Sequence, residues 1–339
     1  MTPAAVLLGR LLSGVGAFLF ALALGGIVSR MLPRRRGRAR PRLVLAVVPF
    51  VVLVAATLRG PSGEPGAASP RGALRLGAGV TSLGPFVHAT VTAPSRVAQA
   101  ADGTGGIVAG VLSDRLGPAS PWALVALLVA ISSGSLVRRG LALLRARRVV
   151  ELARAEATST FGIGQSPTVE IVVTPAVVGS PFVAGPGSSR VLVPEASWCA
   201  LSPDEREAVL LHEVAHLRGR HPWLAVGVSA VAGLFAFVPL VSRAERTLRA
   251  AIEDCADEAA VSHGASPLAL ASALVRVAER GGHGEGLGAP YLGVASAGLE
   301  VRVAALLDPA APPSGRHVAA RWALVLGVAL VALRSVVFP

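Results

Sequence analysis

The apolar positions of this chain fall into long blocks that predict membrane helices. Val6 to Ser29 is apolar except for Arg10. No basic region precedes it and a dense basic cluster follows it, the wrong order for a secretory leader, so it predicts a first span. Leu43 to Leu58 is a second block, short at 16 residues but almost wholly apolar. Trp122 to Val137 is a third, and Trp322 to Phe338, preceded by Arg316 and Arg321, is a fourth. Between the second and third lies a stretch rich in Gly, Pro, Ala and Ser, residues 60–121, whose weak periodicity reads as a long loop. The resulting division is a transmembrane region over 1–147, a more polar domain over 148–315 and a C-terminal transmembrane helix over 316–339.

Charge orients these blocks. Residues 30–42 and 138–148 are densely basic, and basic loops stay on the cytoplasmic side. The amino terminus and the 60–121 loop are then external, and the 148–315 domain is cytoplasmic. The formal net charge is +12, and every basic residue is arginine. The arginines cluster beside apolar segments and aromatics for base stacking are scarce, which excludes a nucleic-acid partner and points to the lipid bilayer. An apolar content of 53% and a mean hydropathy of +0.62 are too high for an ordinary soluble enzyme. The two cysteines, Cys199 and Cys255, make no disulfide framework.

Within the polar domain, His212-Glu213-Val214-Ala215-His216 spells H-E-x-x-H. On a helix the two histidines lie one turn apart on one face, where both imidazoles can hold one zinc ion. Glu213 sits beside them as a catalytic base, placed to take a proton from a water that the metal acidifies. The surroundings predict the helix that this needs. Ser202 is an N-cap, Pro203 occupies the first helical position and Glu205 closes a capping box. Ala208, Val209, Leu211 and Ala215 give an apolar face, and Gly219 and Pro222 end the helix. A third ligand is offered at Glu253, within the run Glu253-Asp254-Cys255-Ala256-Asp257-Glu258. Glu253 and Asp257 share a helical face, so one carboxylate can reach the metal while the other accepts the N–H of a ligating histidine.

The pairing of H-E-x-x-H with E-x-x-A-D-x-x-A resembles the membrane-bound gluzincin metallopeptidases, both the HtpX-like and CAAX-prenyl-protease group and the BlaR/MecR-type antibiotic sensors. Weaker similarities extend over about residues 148–308. Val169–Val173 resembles the first strand of the peptidase domain, and Arg190–Pro194 the strand before the motif helix. Leu299-Glu300-Val301-Arg302 with Leu306-Leu307 resembles a late helix of the sensor type. Ser180–Gly185 resembles the edge strand on which substrate lies, which implies substrate-binding roles for Phe182, Val183, Ala184 and Gly185. The resemblance implies one Zn²⁺ per chain and a protein or peptide substrate. Antibiotic sensing is not carried over, because those sensors continue into an external domain and this sequence ends at Pro339.

One segment conflicts with this site. Trp223 to Val241 is apolar for 19 residues. A single crossing there would put Glu253 on the opposite side of the membrane from His212. Gly227, Gly233 and Pro239 weaken a straight crossing, and a helix or broken hairpin that returns is expected instead. His221, five residues past His216, is expected on a different face and away from the metal. His263 and Tyr291 are candidates for a hydrogen bond to a transition-state oxyanion.

The expected molecule is a mainly α membrane protein with about four transmembrane helices and a gluzincin-like α+β zinc peptidase domain. The expected activity is hydrolysis of peptide bonds in a cytoplasmic or membrane protein, in regulated proteolysis or signalling, with a zinc-stabilised scaffold or regulator as the alternative. A transporter would need polar residues in several spans, and these spans offer few beyond Arg10 and Arg334.

Overall fold

The fold is taken from a computed structural model, in which residues 3–31, 39–58, 107–117, 119–163, 169–177, 180–281 and 298–308 are described. Four helices come first: α1 (Pro3–Met31), α2 (Ala39–Leu58), α3 (residues 107–116) and α4 (Ser120–Ala155). Four short strands follow: β1 (Ser159–Ile163), β2 (Val169–Thr174), β3 (Phe182–Val183) and β4 (Arg190–Pro194). Six helices complete the described chain: α5 (Glu195–Ala200), α6 (Pro203–Arg218), α7 (His221–Leu234), α8 (Pro239–Ser262), α9 (Pro267–Gly281) and α10 (Leu299–Leu307). The protein is therefore mostly helical with a small mixed sheet.

The chain divides into two compact units. One comprises residues 1–31, 44–130 and 320–339, and the other residues 32–43 and 131–319. In the first, α1 packs on α2 through small side chains: Ala17 and Ala21 meet Val52 and Ala56. Phe18 and Phe50 meet edge to face at 5.9 Å. A Cβ on Gly14 would sit 2.2 Å from Thr57 Oγ1, so the close approach depends on glycine there. Leu8, Ala109 and Val125 join α1, α3 and α4. Among the described residues, three helices are long and apolar enough to cross a membrane: α1 over Val6–Ala23, α2 and α4. The fourth apolar block, Trp322–Phe338, lies outside the described residues. The third runs past its predicted end at Val137, because the leucine-, alanine- and arginine-rich sequence beyond continues the helix to Ala155.

In the second unit the sheet order is β1-β2-β4-β3, with β2 and β4 parallel and the outer pairs antiparallel. The first strand is β1 and not Val169–Val173, which is β2. Its Ser-Thr-Phe-Gly-Ile sequence has only two apolar side chains at strand spacing, too short a run to mark a strand by itself. The central strands obey period two. Ile171, Val173, Val183, Val191 and Val193 pack with Leu210 of α6, whereas Val172, Phe182 and Leu192 face Ala153 of α4. The sheet is thus a layer between α4 and the motif helix.

The apolar run 223–241 is split. Helix α7 ends at Leu234, residues 235–238 turn, and Pro239 opens α8 from an extended Val238. Fourteen helical residues span about 21 Å, short of a bilayer core of about 30 Å. α7 leans on α4, where the Ser132 hydroxyl donates to Leu234 O at 2.6 Å and a Cβ on Gly233 would sit 2.8 Å from Leu136 Cδ2. The hairpin of α7 and α8 returns the chain, and α8 packs against α6.

Candidate metal centre

The site begins with the capping of α6. Ser202 Oγ accepts from Glu205 N, the Glu205 carboxylate accepts from Ser202 N at 2.8 Å, and Pro203 takes the first helical position. The Ser272 hydroxyl of α9 also donates to this carboxylate, at 2.5 Å. The helix start is therefore locked into the core, and it presents His212, Glu213 and His216 all buried.

His212 Nε2 and His216 Nε2 lie 3.0 Å apart. Glu253 Oε2, from α8, is 3.5 Å from the first and 3.8 Å from the second. These residues form the one cluster, among the described residues, that could hold a metal ion. A circle through the three atoms has a radius of about 2.0 Å, matching the zinc–nitrogen and zinc–oxygen bond lengths of 2.0–2.2 Å.

The other ring nitrogens explain the orientation. His212 Nδ1 is 2.9 Å from Asp257 Oδ1, close but off the line of a hydrogen bond. His216 Nδ1 is 3.0 Å from His221 Nδ1. With the Nδ1 protons assigned to these outer contacts, both Nε2 lone pairs converge on one point. Two converging lone pairs and a carboxylate oxygen repel one another unless a cation lies between them. This donor set fits a divalent metal.

Arg302 of α10 closes the arrangement. Its Nε and Nη2 donate to Asp257 at 2.8 and 2.7 Å, and its Nη1 lies 3.1 Å from Glu253 Oε2. One buried guanidinium thus aligns both carboxylates. Burial would raise the Glu253 carboxyl, but Arg302 and the two histidines outweigh it and hold it at about 2. Asp257 is also held well below the carboxylate range, burial being outweighed by Arg302. Burial pushes His216 down to about 3 and His221 to about 4, so both are neutral. Burial opposes the charge on His212, but Asp257 and Glu253 raise it to about 10. Burial pushes the Glu213 carboxyl up to about 8.

The helices thus gather His212, His216, Glu253 and Asp257, with Glu213 buried at the position after His212 on α6. Two further residues escaped the sequence reading. Arg302 appeared there only within a family-like stretch, and His221 was expected away from the centre. His221 points at the far side of His216, not at the three donor atoms. Cys255 is buried, and burial with Glu258 and Asp254 pushes its thiol up to about 12, so it packs as a neutral group. His263 is exposed and caps α8, its Nδ1 lying 2.7 Å from Ala259 O. Tyr291 lies outside the described residues.

Phe182 and Val183 form β3, an edge strand paired on one side with β4. Val183 is buried against the motif helix with Leu210, and Ala184 N donates to Arg190 O at 2.9 Å. Gly185 has φ of 109° and turns the chain away. Beyond it, Leu217, Arg220 and Trp223 line a cavity of about 200 Å³ at the end of α6.

No curated protein and no solved structure matches the chain. The profile of the BlaR1 peptidase M56 family matches residues 120–304, from α4 through the metal cluster to α10. No match supports the HtpX-like part of the resemblance. With more than half of its length covered, and with two histidines and a carboxylate converging within that match, the chain belongs to the BlaR1 peptidase M56 family of metallopeptidases.

Proposed function

We propose that this protein is a membrane-embedded zinc endopeptidase with a gluzincin-like catalytic domain on the cytoplasmic side. In this reading four spans anchor it, the last within 316–339. The observation that carries the reading is the convergence of His212 Nε2, His216 Nε2 and Glu253 Oε2 on a point about 2.0 Å from each, beside a buried glutamate. His212, His216 and Glu253 hold the metal, and Asp257 and His221 orient the two imidazoles.

When bound, zinc acidifies water and polarises a carbonyl oxygen. Glu213 is the base, and burial of its carboxyl favours the protonated form, which helps it to hold a proton between the two halves of the reaction. It takes a proton from the attacking water and returns it to the leaving amine. Substrate lies extended along the free edge of β3, held through backbone groups of Phe182–Gly185, with a side chain entering the cavity at Leu217, Arg220 and Trp223. A protein or peptide in the cytoplasm or membrane fits this edge, in regulated proteolysis or signalling.

Metal analysis of purified wild type and Glu253→Ala, with cleavage of a denatured protein as the parallel assay, tests the reading. The expected result is one zinc per wild-type chain, lost with the activity in the variant. Zinc without cleavage under all conditions supports the scaffold alternative, and no zinc in either protein overturns the site.

A further inference from the structure

Helix α8 carries two carboxylate pairs, one residue apart. Glu253 and Asp257 turn toward the histidines. Asp254 and Glu258 turn toward the first turn of α2, which belongs to the same compact unit. Arg42 Nη1 lies 3.0 Å from Asp254 Oδ2, and Ala39 N donates to Glu258 Oε2 at 2.9 Å. Two turns earlier α8 is gripped by α4. The Arg139 guanidinium makes a fork on Glu245 with both bonds at 3.0 Å, and its Nη1 also donates to Ser229 of α7. Both α2 and α4 are long and apolar enough to cross a membrane.

We propose that Arg42 and Arg139 are positioning residues for the metal centre. Through Asp254 and Glu245, with the Ala39 amide on Glu258 beside them, they fix the rotation and axial position of α8, and with it the carboxylate of Glu253. This rests on the zinc reading above. The geometry makes the demand severe. A side-chain atom lies about 5–6 Å from the helix axis, so a 20° roll of α8 carries it about 2 Å. Metal bonds hold to about 0.2 Å, a tenth of that. Contacts on the metal face alone hold α8 along one line, through Glu253 and Asp257, and leave it free to pivot about that line, which would tilt the carboxylate of Glu253 against its partners. Asp254 and Glu258 lie about 100° around the helix and oppose that pivot from a second direction. Arg42 and Asp254 are both partly exposed, so their pairing adds little to global stability, and its value lies in where it holds the helix.

The test uses the full-length protein in detergent and competes zinc against a fluorescent chelator. Arg42→Gln and, separately, Asp254→Asn are expected to weaken zinc retention about tenfold with little change in thermal midpoint. The exchanged pair Arg42→Asp with Asp254→Arg is expected to restore it. Arg139→Gln is expected to weaken zinc by at least as much. If wild type holds zinc and Arg42→Gln holds it as tightly, this inference alone is overturned. The same follows if zinc is lost only in step with unfolding and the exchanged pair does not rescue it. A wild type that holds no zinc overturns both this inference and the reading beneath it.

Discussion

His221 Nδ1 lies 3.0 Å from His216 Nδ1, on the side of the ring opposite the nitrogen that faces Glu253. Each candidate histidine ligand therefore has its own outer partner, a carboxylate for His212 and an imidazole for His216. Gly219 makes room for the second: a Cβ there would sit 2.4 Å from His221 Nε2. His221→Ala and Gly219→Ala should act alike, the first by removing the partner and the second by displacing it. Both are expected to weaken zinc about 10- to 100-fold, read by chelator competition. Unchanged affinity in both would mean that His216 needs no support from this side.

Glu213→Gln separates binding from chemistry. The amide keeps the size of the side chain and cannot carry the proton. Glu213 is not among the three converging groups, so zinc content should match wild type. Cleavage should fall by at least about 10²- to 10⁴-fold, the contribution of general acid–base catalysis. Full proteolysis by this variant would remove Glu213 from the mechanism.

What could be read in the sequence was local. Ser202, Pro203 and Glu205 carry a capping box within four residues, and the structure has it. The i, i+4 spacings of His212 with His216 and of Glu253 with Asp257 place each pair on a helix face without knowledge of the rest. Arg302 could not be found this way. It is one arginine among many, and its partner Asp257 is 45 residues away. His221 was misplaced for a different reason. Five residues along an unbroken helix would turn it about 140° from His216. The helix stops at Gly219, and Arg220, with φ of 52° in the left-handed region, swings the chain so that His221 comes back beneath the ring. A periodicity argument fails at the residue where the period ends.

Arg302→Gln should reveal how the metal and the guanidinium share a task. The guanidinium places positive charge against Glu253 and Asp257, which are buried, and a bound metal would do the same. Without Arg302 the metal-free protein keeps two buried carboxylates with reduced compensation, a loss of about 3–5 kcal/mol by the usual cost of breaking a buried pair. Zinc neutralises part of that charge, so the loss should be smaller in the loaded protein. Thermal unfolding with zinc and with chelator reads the difference. Arg302→Lys should fall between, since it keeps the charge and loses the fork. Equal destabilisation with and without zinc would mean that the two charges act independently.

The ion pair between Arg139 and Glu245 gives a pH-dependent test of how α8 is anchored. Burial acts to raise the Glu245 carboxyl, but hydrogen bonds from Arg139 and Arg249 outweigh it and hold its pKa below the ordinary carboxylate value. A lowered folded pKa means that the unfolded chain takes up the proton first as the pH falls. The stability that Glu245 confers is therefore complete above the unfolded value of about 4.3 and is lost as the pH drops through the folded one. At pH 7 Glu245→Gln should destabilise the protein by about 1–3 kcal/mol, the worth of hydrogen bonds to a charged group whose arginine partners are partly exposed. Below pH 4 the difference between wild type and variant should shrink, because the wild-type carboxyl is then being protonated as well. Thermal midpoints of both proteins from pH 7 down to pH 3 measure this. A gap that stays constant over the whole range would show that the glutamine disturbs packing, and that charge on Glu245 is not what ties α8 to α4.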